Sequence, residues 1–203
     1  MSAIDLYSPA EVGAVAGVST KFVYKAIEQR IPGSLVVRRK HQPFLTRWGA
    51  VCVLIDHEMP KNVPVTVRKQ IYAEIRNAMP SREIKCKHGI LSYVVVVTAA
   101  ARKVDTNLAK YRKAAKLVVM DPNVQAGAAT FKGTRILVHH IADLLAQGAS
   151  QAELREDYPR LTREMIAAAK VYAKAHPRRG RPRKPSWWNT KPVSERTIER
   201  RSA

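Results

Sequence analysis

Cysteine is nearly missing from this sequence: only Cys52 and Cys86 occur, and no C-x-x-C spacing is present. Two unrelated thiols support neither a disulfide scaffold nor a structural zinc site, so the fold has to rest on a packed apolar core. Apolar residues make up 46% of the chain, enough for such a core, although aromatics contribute only 6%. Long hydrophobic runs are absent as well. The strongest stretch, Tyr93 to Ala101, falls far short of the ~20 residues that span a bilayer. Met1 to Leu6 lacks the basic stretch and apolar core of a secretory signal. A cytoplasmic protein without membrane contact is expected.

Catalytic constellations are missing too. His139-His140 has no partnered H-E-x-x-H, while His41, His57, His88 and His176 are scattered. There is no phosphate loop, G-x-S-x-G elbow or dinucleotide fingerprint. The expectation is a protein that is not an enzyme, with no catalytic residues, no metal and no cofactor.

What the chain has in excess is positive charge. Lys and Arg number 36 against 16 Asp and Glu, a formal +20. The excess is uneven. Residues 61–120 hold thirteen basic and three acidic side chains, and residues 177–203 hold nine and two; the remaining segments are nearly balanced. Concentrated basic surface binds polyanions by releasing their counterions, and nucleic acid is the commonest such partner.

Ser8-Pro9-Ala10-Glu11 has the form of a helix start, with Ser8 as cap, Pro9 at the first helical position and Glu11 closing a capping box. Gly17 then ends one helix and Ser19 caps a second. In that second helix Phe22, Val23, Ala26 and Ile27 form the inward stripe, leaving Thr20, Lys21, Tyr24 and Lys25 on the other face. Leu35 to Lys40 reads as a strand entering a basic turn, with Phe44-Leu45 returning as its partner. From Leu6 to Met59 the segment resembles the MerR-type winged helix-turn-helix, the similarity resting on Glu11 to Ser19. That resemblance implies a reading helix carrying Thr20, Lys21, Tyr24 and Lys25, and a wing carrying Arg38, Arg39 and Lys40.

Pro60 to Pro64 reads as a linker. Residues 60–120 then form a basic linker and α/β segment: a helix over Val67–Met79, a strand over Ile90–Thr98 and a helix over Val104–Ala115. The cations near the end of that last helix fit either its dipole or a phosphate-binding patch, and the spacing does not separate the two.

Leu117 to Met120 reads as a short strand. After it, Ile141, Leu144 and Leu145 mark one helix, the Ser150–Glu153 capping box opens a second, and Thr162 opens a third that ends at His176-Pro177. The segment Asp121 to Trp188 resembles the domain-of-unknown-function family 433, found in antitoxins of the VapB type that pair with PIN-domain ribonuclease toxins. Asp121-Pro122, Gly127, the block Gly133 to Val138, the turn from Gln147 to Leu154 and Asp157-Tyr158-Pro159 carry the likeness; Ala129 departs from it, standing where such proteins usually show proline. The resemblance implies a trihelical, helix-turn-helix-like module over residues 121–176 that is structural or dimerising. Asp121 is expected in a turn and Arg135 beside a carboxylate.

Residues 177–203 are too charged and proline-rich to pack and read as a disordered basic tail. Arg178, Arg179, Gly180, Arg181, Pro182 and Arg183 resemble an AT-hook, in which glycine permits close approach and arginines meet the negative potential of a narrow minor groove. The same arginines suit the carboxylate-rich metal site of a PIN-type nuclease, with Trp187 and Trp188 as apolar anchors.

The whole reads as an α+β protein with an N-terminal winged helix-turn-helix over residues 1–59. The expected function is that of an antitoxin, homodimeric within its complex, that neutralises a PIN-domain ribonuclease toxin through its tail and represses its operon by binding operator DNA. A stand-alone transcription regulator or nucleoid-type protein with an AT-hook tail is the alternative, and an adaptor binding only protein the third.

Overall fold

The computed structural model describes residues 5–77 and 83–178. Helices and small antiparallel sheets alternate, an α+β arrangement. Helix α1 spans Pro9–Ala16. Its capping box forms as the sequence requires: Ser8 Oγ accepts from the Glu11 N–H at 3.3 Å, and Glu11 Oε2 accepts from the Ser8 N–H at 2.6 Å. Gly17, at φ +75°, turns the chain out of the helix. Two residues later Ser19 Oγ accepts from the Phe22 N–H and starts α2, Thr20–Glu28.

A 3-10 turn at Gly33–Leu35 leads into strand β1, Val36–Arg39, which pairs with β2, Gln42–Leu45. Lys40 and His41 join them, both at positive φ, the pattern a type I′ turn requires. Tyr7 and Leu45 exchange backbone hydrogen bonds of 2.9 and 2.8 Å, which ties this hairpin to the entry of α1. Helix α3, Arg47–Glu58, buries every residue from Gly49 to Ile55. A helix apolar almost all round has to be enclosed, and α1, α2, the following helix α4 (Val65–Asn77) and a later one all pack on it.

The middle segment departs from the periodicity reading. The run Ile90–Thr98 is not one strand: strand β3, Ile84–His88, pairs with β4, Leu91–Val95, and helix α5 already begins at Val97 and runs to Lys116. Valine favours strands, but Val97 opens a buried stripe that continues through Ala100, Ala101, Val104, Leu108 and Tyr111. Burial of that helical stripe overrides the local β preference. β3 carries only a weak sequence signal, because its alternation, Ile84 and Cys86 inward and Lys85 and Lys87 outward, extends over only five residues.

Strands β5, Val118–Val119, and β6, Thr130–Phe131, pair before helices α6, Val138–Ala146, α7, Gln151–Asp157, and α8, Arg163–Ala175. Ser150 and Glu153 form the second capping box and Thr162 Oγ1 accepts from the Met165 N–H. One hydrophobic cluster runs from Tyr7 to Tyr111 and includes Ala175; the other gathers Ala114, Phe131, Ile141, Leu154, Ile166 and Tyr172. Helix α8 contributes to both, lying against α5, α1 and α6.

Candidate nucleic-acid interface

Two helices joined by a tight turn present one outward face, and a two-residue hairpin presents a second. Val23 and Ala26 fix α2 to the core, while Phe22 is half-buried, edge-on to His57 of α3 with ring centroids 5.0 Å apart. This leaves Lys21, Tyr24 and Lys25 in solvent, with Tyr24 46% exposed. Thr20 is half-buried instead of fully presented, because it starts the helix beside Gly13. A Cβ on Gly13 would stand 3.0 Å from the Val18 carbonyl and 3.4 Å from the Thr20 nitrogen, so glycine there lets α1 and α2 approach closely.

On the hairpin, Arg38, Arg39 and Lys40 are all exposed. Neither they nor Lys21 and Lys25 make a side-chain hydrogen bond or ion pair among the described residues. Their charges are therefore not neutralised by any of the described residues. Both are seated on the same core, α2 by Val23 and the hairpin by Leu45. Lys40 and His41 hold left-handed backbone without being glycine, a conformation that costs about 1 kcal/mol per residue.

The segment from Asp121 behaves locally as the sequence implied, with one exception. Asp121 Oδ1 accepts from the Asn123 N–H at 2.9 Å, and Thr134 Oγ1 bridges Phe131 O and the Ile136 N–H. Arg135, expected beside a carboxylate, makes no ion pair among the described residues. It lines an open groove with Asp121, Thr134 and Arg160.

Of the tail's candidate binding residues, Arg178 alone is described, and it is engaged: its Nη1 lies 2.8 Å from Asp143 Oδ2 of α6. Arg179, Gly180, Arg181, Pro182, Arg183, Trp187 and Trp188 lie outside the described residues. His139 sits half-buried on α6; burial, with Arg178 nearby, holds its pKa below the ordinary imidazole value. His140 shares a 2.9 Å hydrogen bond with the Tyr158 hydroxyl.

A polar cluster unseen in the sequence joins α1, α5 and the end of α8. Tyr111 donates to Glu11, and His176 Nε2 lies 3.0 Å from the Tyr111 hydroxyl. Burial first, then the Glu11 carboxylate, raises the Tyr111 pKa far above the phenolic range. Asn107 of α5 donates to the Val15 carbonyl at 2.7 Å, satisfying one of the last acceptors of α1. No short-range signal points to these partners, which lie 65 to 100 positions apart. Both cysteines are free and buried, and burial pushes the Cys52 thiol up to about 12. Among the described residues no group of three His, Cys, Asp or Glu could hold a metal ion, and no helix is long and apolar enough to cross a membrane.

Residues 118–173, the stretch from β5 through most of α8, match the family described as "Protein of unknown function (DUF433)". A curated relative, "Uncharacterized protein y4eO" of Sinorhizobium fredii, is 37% identical over 70 residues. The alignment covers 34% of this chain and 32% of that protein, so the chain spans about a third of its relative's length. No solved structure matches.

Proposed function

We propose that this chain is a DNA-binding antitoxin, in which α1, α2 and the β1–β2 hairpin act as a winged helix-turn-helix on the operator of its own operon. The observation that carries the DNA-binding part is the outer face of α2. Lys21, Tyr24 and Lys25 stand exposed on the second of two capped helices, with Arg38, Arg39 and Lys40 on a hairpin and no partner among the described residues for any of these cations. Phosphate contacts by such cations give affinity, and side chains of the reading helix give selectivity. Exchanging Lys21, Tyr24 and Lys25 for Ala should abolish preference for the promoter-proximal duplex over random duplex in fluorescence anisotropy. Unchanged preference would place recognition elsewhere.

The antitoxin part rests on the family match and on the arginine-rich sequence after Pro177, which suits a PIN-domain ribonuclease with its clustered carboxylates. Removing residues 179–203 should release ribonuclease activity of a toxin co-purified with the full chain while promoter binding persists. The motif Arg179-Gly180-Arg181-Pro182 favours a second reading, a stand-alone regulator whose tail is an AT-hook. Arg181→Ala separates them: loss of about 2 kcal/mol or more in toxin affinity supports neutralisation, whereas weakening confined to A·T-rich duplex supports the hook.

A further inference from the structure

The basic middle segment repeats the architecture of the first. α2 leads through a proline into a two-stranded hairpin with a two-residue turn, and one residue after that hairpin α3 begins. α4 is followed in the sequence by Pro80 and then by a second such hairpin, and one residue after it α5 begins. The residues stay in step. Lys21, Val23, Ile27, Pro32 and Val36 are each followed 48 positions later by Lys69, Ile71, Ile75, Pro80 and Ile84. Val23 and Ile71 are both fully buried, and Val36 and Ile84 open their hairpins. α3 serves twice, closing the first unit and preceding α4 as α1 precedes α2. The second turn, Gly89-Ile90, has positive φ only at Gly89, the arrangement of a type II′ hairpin turn.

The structure also sorts the cations of this segment. Arg68 donates to the Pro60 carbonyl, Arg76 to the Ile31 carbonyl, Lys103 pairs with Glu58 and Arg112 with Asp5, so these four are already engaged within the chain. Lys69 on the outer face of α4, and Lys85 and Lys87 on the outer face of β3, are exposed without a partner among the described residues. One difference matters: where α2 exposes Tyr24, the tyrosine in the equivalent position of α4, Tyr72, is buried and donates to Asp56. At the same offset the second unit keeps a cation at Lys69 and Lys87, opposite Lys21 and Arg39, has Ala73 and Cys86 where the first has Lys25 and Arg38, and loses the exposed aromatic, which suits backbone contact more than base reading.

We infer that α4 and the β3–β4 hairpin form a second winged unit that grips a further stretch of the same DNA duplex, with Lys69, Lys85 and Lys87 against its phosphates. This inference rests on the reading of the first unit as DNA-binding. It gives the excess of ten positive charges between residues 61 and 120 a polyanionic partner.

The test compares the full chain with the triple variant Lys69→Ala, Lys85→Ala, Lys87→Ala on a duplex taken from upstream of its own gene. The three side chains are exposed and have no partner among the described residues, so the variant should melt as the parent does. Three lost phosphate contacts should flatten the dependence of log affinity on log salt by about 2.7. The protected stretch in a footprint should also shorten on one side, with selectivity for promoter over random duplex unchanged. Equal slopes and equal footprints would overturn the second unit. So would an unchanged DNA profile accompanied by a fall in mass in sedimentation, which would make this hairpin, with Ile90 and Leu91 exposed at its tip, a contact for a second copy. The α2 variant Lys21→Ala, Tyr24→Ala, Lys25→Ala separates the two readings. If it loses promoter preference while the α4 and β3 variant is silent, only the second unit falls; if the parent chain binds no duplex, both fall.

Discussion

Tyr111 donates its hydroxyl hydrogen bond to Oε1 of Glu11, the residue whose other carboxylate oxygen closes the capping box of α1. One side chain therefore fixes the start of the first helix and docks that helix against α5. His176, at the end of α8, completes the contact, 3.8 Å from the same Oε1. This junction is one of the contacts that set α1 against α5 and α8.

Replacing Glu11 by Ala removes the cap partner and leaves the Tyr111 hydroxyl without its acceptor. A loss of about 2 kcal/mol in urea denaturation is expected. Tyr111→Phe removes one hydrogen bond and should cost about 1 kcal/mol. Because the two share a contact, the double variant should lose less than the two single losses together. Strict additivity would mean that the carboxylate acts only in the cap.

The junction should also make stability fall in mild acid. Burial lowers the His176 pKa below the ordinary 6.5, more than the neighbouring Glu11 raises it, with Tyr111 and Tyr172 as the other titratable neighbours. His139, also buried and beside Arg178, is lowered in the same direction. Below about pH 6.5 the unfolded chain takes up protons that the folded chain refuses, so unfolding becomes easier as pH falls and the loss levels off below the folded pKa. Melting temperatures from pH 7.5 to 5.5 should decline less steeply in His176→Gln than in the parent. An identical decline would assign the acid sensitivity to other groups.

Two turns carry opposite expectations. Gly17 needs its left-handed backbone but has open space around it, so Gly17→Ala should destabilise by about 1 kcal/mol through conformation alone. His41 holds φ +63° without being glycine, and His41→Gly should stabilise the hairpin by about 1 kcal/mol. Chemical denaturation of both variants checks the signs. Because His41→Gly leaves Arg38, Arg39 and Lys40 in place, promoter affinity should be kept, and a marked loss would assign His41 a direct DNA contact.

The amino-acid sequence by itself determined the features that reach only three or four residues along the chain. Ser8, Ser19, Ser150 and Thr162 cap the helices their spacing predicts, Gly17 ends α1, and His176-Pro177 follows the end of α8. The outer face of α2 was legible for the same reason: helical periodicity sorts Val23 and Ala26 from Lys21, Tyr24 and Lys25, although Thr20 proved half-buried. Only the tertiary structure decided what depends on distant neighbours. Val97 leaves the strand and joins α5 because α3 offers that helical face a buried surface, and nothing local signals this. Arg135 stays without a carboxylate among the described residues, Arg178 finds Asp143, and Glu11 finds Tyr111 and His176 through the packing of α1, α5 and α8. Capping satisfies backbone donors within one turn and so is written locally. Burial and charge pairing require partners that only the folded chain brings within a few ångströms.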